Sequence, residues 1–484
     1  MQQLTVWVSS HLVLDKSALP REMYQALRQA LTFSNPEYSS RASMARSTFR
    51  VPSRISLLEE SDNQVRIPRG ALSMLQSLAS KRTVQLKFVN QTTWLSVERL
   101  PESQLRIQLR DYQSTAAARL LDRVQGYICL PCGAGKTVLG CAAVVMSGQS
   151  AIVLVHTLDL AQQWAQTFSR LYGVHASTDH PPSRPLKPRQ IAIFMIQALH
   201  KAGEAGNPSI KSAGCILLDE CHHAPAKTFR DVFALSTARY RWGLTATPER
   251  SDGWGFMLPL VIGPQLFTMN TSDLLDSGHL EKPKIYALHS GVHISYENHT
   301  TRSGNLNMGS LVTALAQNES RNKLLETIAV HAAKRGRSVL VLVPRKSQAH
   351  ALASRLVSAG IRSVALTSAV PKQKREQLLH KMRRKEVVVA FATQLADEGL
   401  DVPVLDTLVN ANPGRAAGRA IQRIGRILRK SEHKAEPLLI DVIDGGLFRS
   451  QFNARRAAYR SQLKVDIHET VHADKLQQFL SRIM

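Results

Sequence analysis

Two successive series of short apolar runs, alternating with helical stretches, do most to restrict what this chain can become. In the first series, residues 127–130, 151–155, 191–195, 215–219 and 241–245 have the character of strands. In the second, residues 338–343, 364–367, 387–392, 407–410 and 437–441 have it too. Runs this short, with little polar alternation, suit strands buried on both faces, which calls for parallel sheets with helices on either side. The pattern predicts an α/β protein with two tandem parallel-sheet domains, at 98–275 and 276–484. The joint between them is expected within 271–283 (TSDLLDSGHLEKP).

Residues 1–97 are patterned differently. Apolar runs at 6–8 and 12–14 suggest short strands, and 21–32 suggests a helix. Segments 54–58 and 64–67 flank the turn-like Ser61-Asp62-Asn63, as the arms of a hairpin would. Ile67-Pro68-Arg69-Gly70 then leads into an amphipathic helix. A small N-terminal α+β accessory domain is expected. Its 12 basic and 6 acidic side chains match the balance of the whole chain, so charge does not mark it as the nucleic-acid platform.

The whole chain carries 62 Lys and Arg against 37 Asp and Glu, a formal net charge of +25. An excess of that size favours a polyanionic partner, because cations that neutralise phosphates release condensed counterions. A basic but otherwise ordinary soluble protein is the alternative. The N-terminus lacks a basic segment followed by a long apolar one, and no apolar run approaches the roughly 20 residues needed to cross a bilayer. The expected setting is the cytosol, or the nucleoid or an infected host's cytoplasm if the chain is bacterial or phage-borne. The five cysteines (Cys129, Cys132, Cys141, Cys215 and Cys221) fit reduced thiols. Cys129 and Cys132 form a CxxC with no second pair to complete a zinc site, so a metal or redox role is the lesser reading.

Three segments carry chemistry. Leu130-Pro131-Cys132-Gly133-Ala134-Gly135-Lys136-Thr137 follows a predicted strand and opens a predicted helix, a setting in which backbone N–H groups cradle phosphates. Gly133 and Gly135 allow close approach of the backbone. Lys136 would reach the β- and γ-phosphates, and Thr137 would hold Mg²⁺. Leu130 stands where the usual first glycine of this pattern belongs, so a chance glycine-rich turn is the alternative. The second segment, 216–223 (ILLDECHH), ends an apolar strand in two carboxylates, where open α/β sheets present their ligands. Asp219 would bind Mg²⁺, and Glu220 would orient and deprotonate the attacking water. In the third, 420–429 (AIQRIGRILR), a continuous helix would place Arg419, Gln422, Arg426 and Arg429 on one face and Ile421, Ile424 and Leu428 on another. Arg426 and Arg429 are arginine-finger candidates, and a solvated basic face is the alternative.

Read in order, these segments resemble the motif set of superfamily 2 helicases, especially the XPB-like branch. Leu109-Arg110-Asp111-Tyr112-Gln113 resembles the adenine-reading element, which implies that Arg110 and Gln113 lie against the nucleotide and that Gln113 contacts the base. Pro131–Thr137 is similar to the superfamily's own phosphate loop, with Gly133, Ala134, Gly135, Lys136 and Thr137 as its nucleotide-binding residues. Residues 155–164 (VHTLDLAQQW) resemble a motif that contacts the nucleic-acid backbone, and Asp219-Glu220-Cys221-His222 resembles the DExH form of the acidic motif. Residues 242–250 (WGLTATPER) resemble the coupling motif, whose Thr245 and Thr247 would link ATP state to strand contacts. Residues 392–401 (ATQLADEGLD) and 422–429 resemble the two motifs of the second sheet domain, implying nucleotide contacts by Gly399 and Asp401 and a pairing of Gln422 with His222. An Arg-Glu-Asp element of the branch is absent from the chain.

The resemblance implies two RecA-like domains, ATP and Mg²⁺ as cofactors, catalytic roles for Lys136, Glu220, Gln422, Arg426 and Arg429, and 3′ to 5′ movement on nucleic acid. Asn35-Pro36-Glu37-Tyr38 and Ile67-Pro68-Arg69-Gly70 are similar to the accessory domain of phage-type branch-migration helicases, implying branched or forked duplex DNA as the substrate. Replication or recombination proteins are the expected protein partners and a monomer the expected state. Two basic stretches are candidates for lining the track: 371–385, and 449–464, where Arg449, Arg456, Arg460 and Lys464 would share a helical face. An RNA-directed ATPase on the same motor is the rival reading. A non-enzymatic basic binding subunit is opposed by the presence of Lys136, Asp219, Glu220 and Arg426. Trp164 and Trp242 are expected to be packing residues.

Overall fold

The computed structural model describes residues 2–484 apart from 45–46, 205, 248–251, 301–305, 394–401, 415–416 and 432–433. The side chains of residues 2, 298, 372, 417–419 and 422 also lie outside the description. Among the expected site residues, Gly399, Asp401 and the side chain of Gln422 are therefore not described.

The N-terminal region builds a sheet from β1 (Gln2–Val8), β2 (His11–Asp15), β5 (Glu59–Glu60), β6 (Gln64–Pro68) and β7 (Val84–Asn90), in the order β5-β6-β2-β1-β7. Alternation along the strands sends Leu4, Val6, Leu12, Leu14, Val65 and Ile67 to one face. Helices α1 (Arg21–Ala30) and α3 (Leu72–Ser80) close over that face with Met23, Leu27, Leu75 and Ala79. A second, two-stranded sheet pairs β3 (Thr32–Ser34) with β4 (Arg54–Ser56), and α2 (Pro36–Ser43) lies between them in sequence.

This arrangement corrects the expected hairpin. Within segment 54–58, Arg54–Ser56 pairs with Thr32–Ser34, in the register Phe33 to Ile55, and not with 64–67. The turn at 61–63 is a hairpin turn, but its first arm is only Glu59–Glu60. Leu58 is drawn into the core, which ends one strand and starts the other. The first helix stops at Ala30 because Leu31 is fully buried and the β-prone Thr32-Phe33 pair begins a strand.

The accessory sheet is seated on the first motor sheet by residues of the 67–70 segment. Arg69 Nη1 donates to Ala238 O at 2.6 Å, and Nη2 donates to Arg239 O at 3.0 Å. Arg241 returns the contact, donating from Nη1 to Ser10 O at 2.8 Å. A Cβ on Gly70 would sit 2.1 Å from Pro259 O, so only glycine allows this approach.

The first motor sheet contains β8 (Gln125–Cys129), β9 (Ala151–Val155), β10 (Ala176–Ser177), β11 (Ile191–Met195), β12 (Cys215–Asp219), β13 (Tyr240–Thr245) and β14 (Gln265–Thr268). All are parallel, in the order β10-β11-β9-β12-β13-β8-β14. The second contains β15 (Lys284–His289), β16 (Val339–Leu342), β17 (Ser363–Leu366), β18 (Val389–Ala392), β19 (Thr407–Asn410), β20 (Leu438–Ile443) and β21 (Glu469–His472). It too is parallel, in the order β17-β18-β16-β19-β20-β15-β21. The α/β class with two parallel sheets and an N-terminal accessory part is as the sequence pattern predicts. The strands that the pattern misses, β10, β14, β15 and β21, all lie at or next to sheet edges, where strands are short or mixed in polarity.

The chain divides into two compact units, residues 1–130 with 135–268 and residues 131–134 with 269–484. Residues 271–283, expected as a joint, include the helix Thr271–Asp276, whose start is capped when Asp273 accepts from Asn270 N at 2.9 Å. No helix among the described residues is long and apolar enough to cross a membrane.

Candidate active site

In a parallel sheet every strand delivers its following loop to the same edge. Strand β13 lies between β8 and β12, so the loops after these three strands are neighbours. They carry the phosphate-loop candidate, the acidic pair and the Thr245–Thr247 segment. Leu130 N donates to Thr245 O at 2.9 Å, tying the first of these to the third.

The phosphate-loop backbone turns through two left-handed glycines, Gly133 at φ +88° and Gly135 at φ +77°, before α5 (Lys136–Ser147) begins. Gly135 is the N-cap residue, so the first free amides of α5 belong to this loop. Lys136 Nζ lies 3.2 Å from Leu130 O, folded back over the loop. Thr137 occupies the first turn of α5. Gln113 is buried in α4 (Asp111–Arg123). Its Oε1 accepts from Arg110 N at 3.0 Å, and its Nε2 is 2.6 Å from where a Cβ on Gly135 would stand. Gln113 thus both caps its own helix and braces the loop. Arg110 donates to Tyr112 Oη at 3.0 Å.

The acidic pair is built at the end of β12. Asp219 is buried; its Oδ2 accepts from Trp164 Nε1 at 2.8 Å, and its Oδ1 from Glu220 N at 2.9 Å. Trp164, expected only to pack, therefore aims this carboxylate. A fully buried indole needs an acceptor for its N–H, and that requirement was the available signal. Glu220 sits at φ +48°, ψ +53°, a left-handed conformation uncommon outside glycine. Burial and the adjacent Glu220 charge push the Asp219 carboxyl above its usual range. Burial also opposes ionisation of Glu220, but its contact with His222 and the charge of Lys136 outweigh this and hold it below its usual range. Of the two acids, Glu220 is therefore the one that gives up its proton more readily.

A polar chain leads away from this pair. His222 Nδ1 is 3.4 Å from Glu220 Oε2 and 3.0 Å from Thr245 Oγ1. Thr245 Oγ1 in turn donates to Thr247 O at 2.9 Å. His223 packs its ring 5.4 Å from that of His156, the second residue of the 155–164 segment. The segments around His156, Glu220 and Thr245 are therefore in direct contact within the first unit. The donor set suits Mg²⁺ and a nucleotide: a hydroxyl and a carboxylate offer hard oxygens, beside an ammonium and a glycine-turned loop at a helix start.

In the second unit the 420–429 expectation needs correction. The helix spans Ala417–Ile424 and stops before Gly425. Gly425 N still donates to Ile421 O, but Arg426 N and Ile427 N reach back only three residues, so the chain tightens into turns. Arg426 and Arg429, both half-buried, lie beyond the helix and not on its face. Ile427 and Leu428, both past the helix end, are fully buried. Arg429 forms a β-bridge with Leu280. Lys434, which the sequence reading did not single out, donates from Nζ to Ile427 O at 2.7 Å and to Arg429 O, and so fixes the arginine-bearing turn. Burial lowers its pKa to about 8.

The basic stretches also differ. Residues 371–385 contain the helix Lys372–Arg383. In 449–464, Arg455 is buried against Asp441, Arg456 and Arg460 pair with Asp466, and Lys464 pairs with Asp276. Acids outside the stretch neutralise much of what its composition suggested, and helix Leu447–Ala458 gives way to a wider π-turn at Tyr459–Leu463.

Residues 106–250 match the family model of the Type III restriction enzyme res subunit, and residues 319–431 match the helicase conserved C-terminal domain. The chain is 28% identical over 381 residues to the DNA 3′-5′ translocase XPB2 of Sulfurisphaera tokodaii, across 72% of this chain and 85% of that protein. These matches support a superfamily 2 helicase of the XPB-like branch. Members are ATP-hydrolysing enzymes, and so is this helicase. The XPB subunit of general transcription and DNA repair factor IIH from Schizosaccharomyces pombe is 27% identical over 405 residues, across 77% of this helicase and 46% of that protein. The helicase thus matches less than half the length of this second relative. Dbp5 of S. cerevisiae bound to RNA and ADP BeF3 is a structural neighbour with a TM-score of 0.56 and 16% identity, across 77% of this helicase and 92% of that chain. That likeness is one of fold and fits two tandem RecA-like domains.

Proposed function

We propose that this helicase is a DNA translocase that couples ATP hydrolysis to 3′ to 5′ movement and remodels branched DNA, acting alongside replication or recombination proteins. The observation that carries the reading is the shared sheet edge, where the glycine-turned loop with Lys136 meets the paired acids Asp219 and Glu220. Lys136 and the loop amides hold the β- and γ-phosphates. A magnesium ion held by Thr137 and Asp219 would screen phosphate charge. Trp164 fixes the Asp219 carboxylate through its N–H. Glu220, held ionised, accepts a proton from the attacking water, and His222 links that residue to Thr245 and Thr247. Arg426 and Arg429 are assigned to charge growing on the γ-phosphate, with Gln422, Gly399 and Asp401 as further nucleotide-side residues and Arg110 and Gln113 near the base. The DNA assignment draws on the printed names of the XPB relatives and on the net charge of +25. The preference for branched DNA rests on the 35–38 and 67–70 segments.

The test is ATP turnover with fork, Holliday-junction, linear duplex and single-stranded RNA, using wild type and Lys136→Ala. Branched DNA should stimulate best. Lys136→Ala should lower turnover by about 100-fold or more while DNA affinity changes little. Unchanged turnover in Lys136→Ala would refute the phosphate-loop assignment, and preferential stimulation by RNA would refute the DNA track.

A further inference from the structure

We propose that the small lobe at residues 32–56 is a base-stacking wedge whose blade is Phe49, and that it engages an unpaired nucleobase at a DNA branch point. The proposal rests on the reading of DNA as the track and adds to it a named contact.

The lobe is built to be held at its root and exposed at its tip. Asn35, 2% exposed, locks the root. Its Oδ1 accepts from Glu37 N at 2.9 Å to cap α2, its Nδ2 donates to Pro52 O at 2.7 Å, and its own N donates to Ser53 O at 2.9 Å. Phe33, on β3, packs 4.5 Å from Phe256, centroid to centroid, and Phe256 is 6.2 Å from Trp254. Trp254 and Phe256 come just after the 242–250 coupling motif in the chain. The lobe is thus anchored to the part of the first unit that follows that motif.

At the tip, Val51 N donates to Thr48 O at 2.9 Å, closing a tight turn with Phe49 and Arg50 at its centre. Arg50 adopts φ +63°, the left-handed region that a long side chain enters only at a cost. Phe49 is 78% exposed, the most of any large apolar side chain among the described residues, and Met44, four residues before the turn in sequence, is 59% exposed. A lone exposed apolar residue would need no explanation. This one has charge around it: the Arg50 guanidinium lies 5.4 Å from the Phe49 ring. Residues 32–56 contain Arg41, Arg46, Arg50 and Arg54 against the single acid Glu37. Glu37 is itself paired with Arg41 at 2.6 Å. Half of the accessory region's excess of positive charge is therefore concentrated in about a quarter of its length. An aromatic face flanked by cations is the combination that binds unpaired bases and the phosphates beside them, since every base offers a π-face and every phosphate a charge. An apolar protein groove would match Phe49 but offer nothing to the Arg50 guanidinium over its ring.

The test uses forked DNA with 2-aminopurine at the branch-point base, and a linear duplex, titrated with wild type, Phe49→Ala and Phe49→Trp. Phe49→Ala should bind the fork about tenfold more weakly and lose the 2-aminopurine signal, while duplex-stimulated ATP turnover stays within about twofold. Phe49→Trp should keep fork affinity, and its indole emission should be quenched on binding. Equal fork affinity and an equal 2-aminopurine signal in Phe49→Ala would overturn the wedge and leave the DNA reading standing. If no DNA binds the wild type or stimulates its ATP turnover, both readings fall.

Discussion

Buried arginines are handled in opposite ways in the two units. In the second, Arg321 forks onto Asp444, with Nε at 2.9 Å from Oδ1 and Nη2 at 3.0 Å from Oδ2. Arg455 forks in the same way onto Asp441, which also accepts from Tyr459 Oη at 2.7 Å and Asn410 Nδ2 at 3.0 Å. In the first unit, Arg69 and Arg241 are as deeply buried, yet among the described residues they have no carboxylate partner; their donors go to main-chain carbonyls. Burial lowers the pKa of Arg69 to about 10, and burial with the neighbouring Arg69 charge lowers that of Arg241. Burial also disfavours the charge on Arg455, but Asp441 more than offsets it, and the pKa is raised. The second unit uses ion pairs to fix its core. The first uses guanidiniums as multi-pronged donors that gather loose carbonyl ends where two sheets meet.

The largest expected effect is at the carboxylate of the paired kind. Asp441→Asn should leave the Arg455 charge uncompensated and destabilise the second unit by about 3–5 kcal/mol, read as a drop in its calorimetric melting transition. Next is Arg241→Met, which leaves carbonyls of Ser10 and Phe233 without a donor but also relieves repulsion with Arg69. A loss of about 1–3 kcal/mol is expected, with the accessory sheet becoming easier to cleave from the motor by limited proteolysis. A loss as large as that of Asp441→Asn would erase the distinction between the two units.

The smallest effect sharpens the charge argument. His11 lies at the same junction, and its pKa is lowered to about 4 by burial and by the nearby charges of Arg241 and Arg66. In the unfolded chain it titrates near 6.5, so between these values the unfolded state binds more protons. The contribution of His11 is full above pH 6.5 and is lost as the pH falls toward 4, amounting to about 1–2 kcal/mol after allowance for partial exposure. His11→Gln should flatten the stability profile across that window in urea titrations. An unaltered profile would mean that the junction is not the cation-dense environment described.

Much of the site was legible because its parts are local. A strand, a glycine-rich turn and a helix start are adjacent in sequence at 125–137, and strand β12 runs straight into Asp219 and Glu220. The arginine turn was misjudged for a reason equally physical. Periodicity over 420–429 extends a helix through Gly425, whereas the chain tightens into three-residue turns there and Lys434 reaches in to hold the carbonyls beyond. The accessory hairpin failed similarly, because 54–58 found a partner some twenty residues earlier and not across the nearest turn.

The order of strands and helices along the chain, the α/β class and the glycine-turned loop that opens α5 were set by patterns spanning a few residues, which steric limits and hydrophobic periodicity translate directly into structure. Tertiary structure alone decided that Trp164 would aim Asp219, that Arg69 and Gly70 would seat the accessory sheet on the motor, and that Arg321 and Arg455 would find acids on other elements. Each of these joins groups far apart in the chain. Such pairings depend on how whole sheets and helices pack to bury their apolar faces, and no short stretch of sequence holds that information.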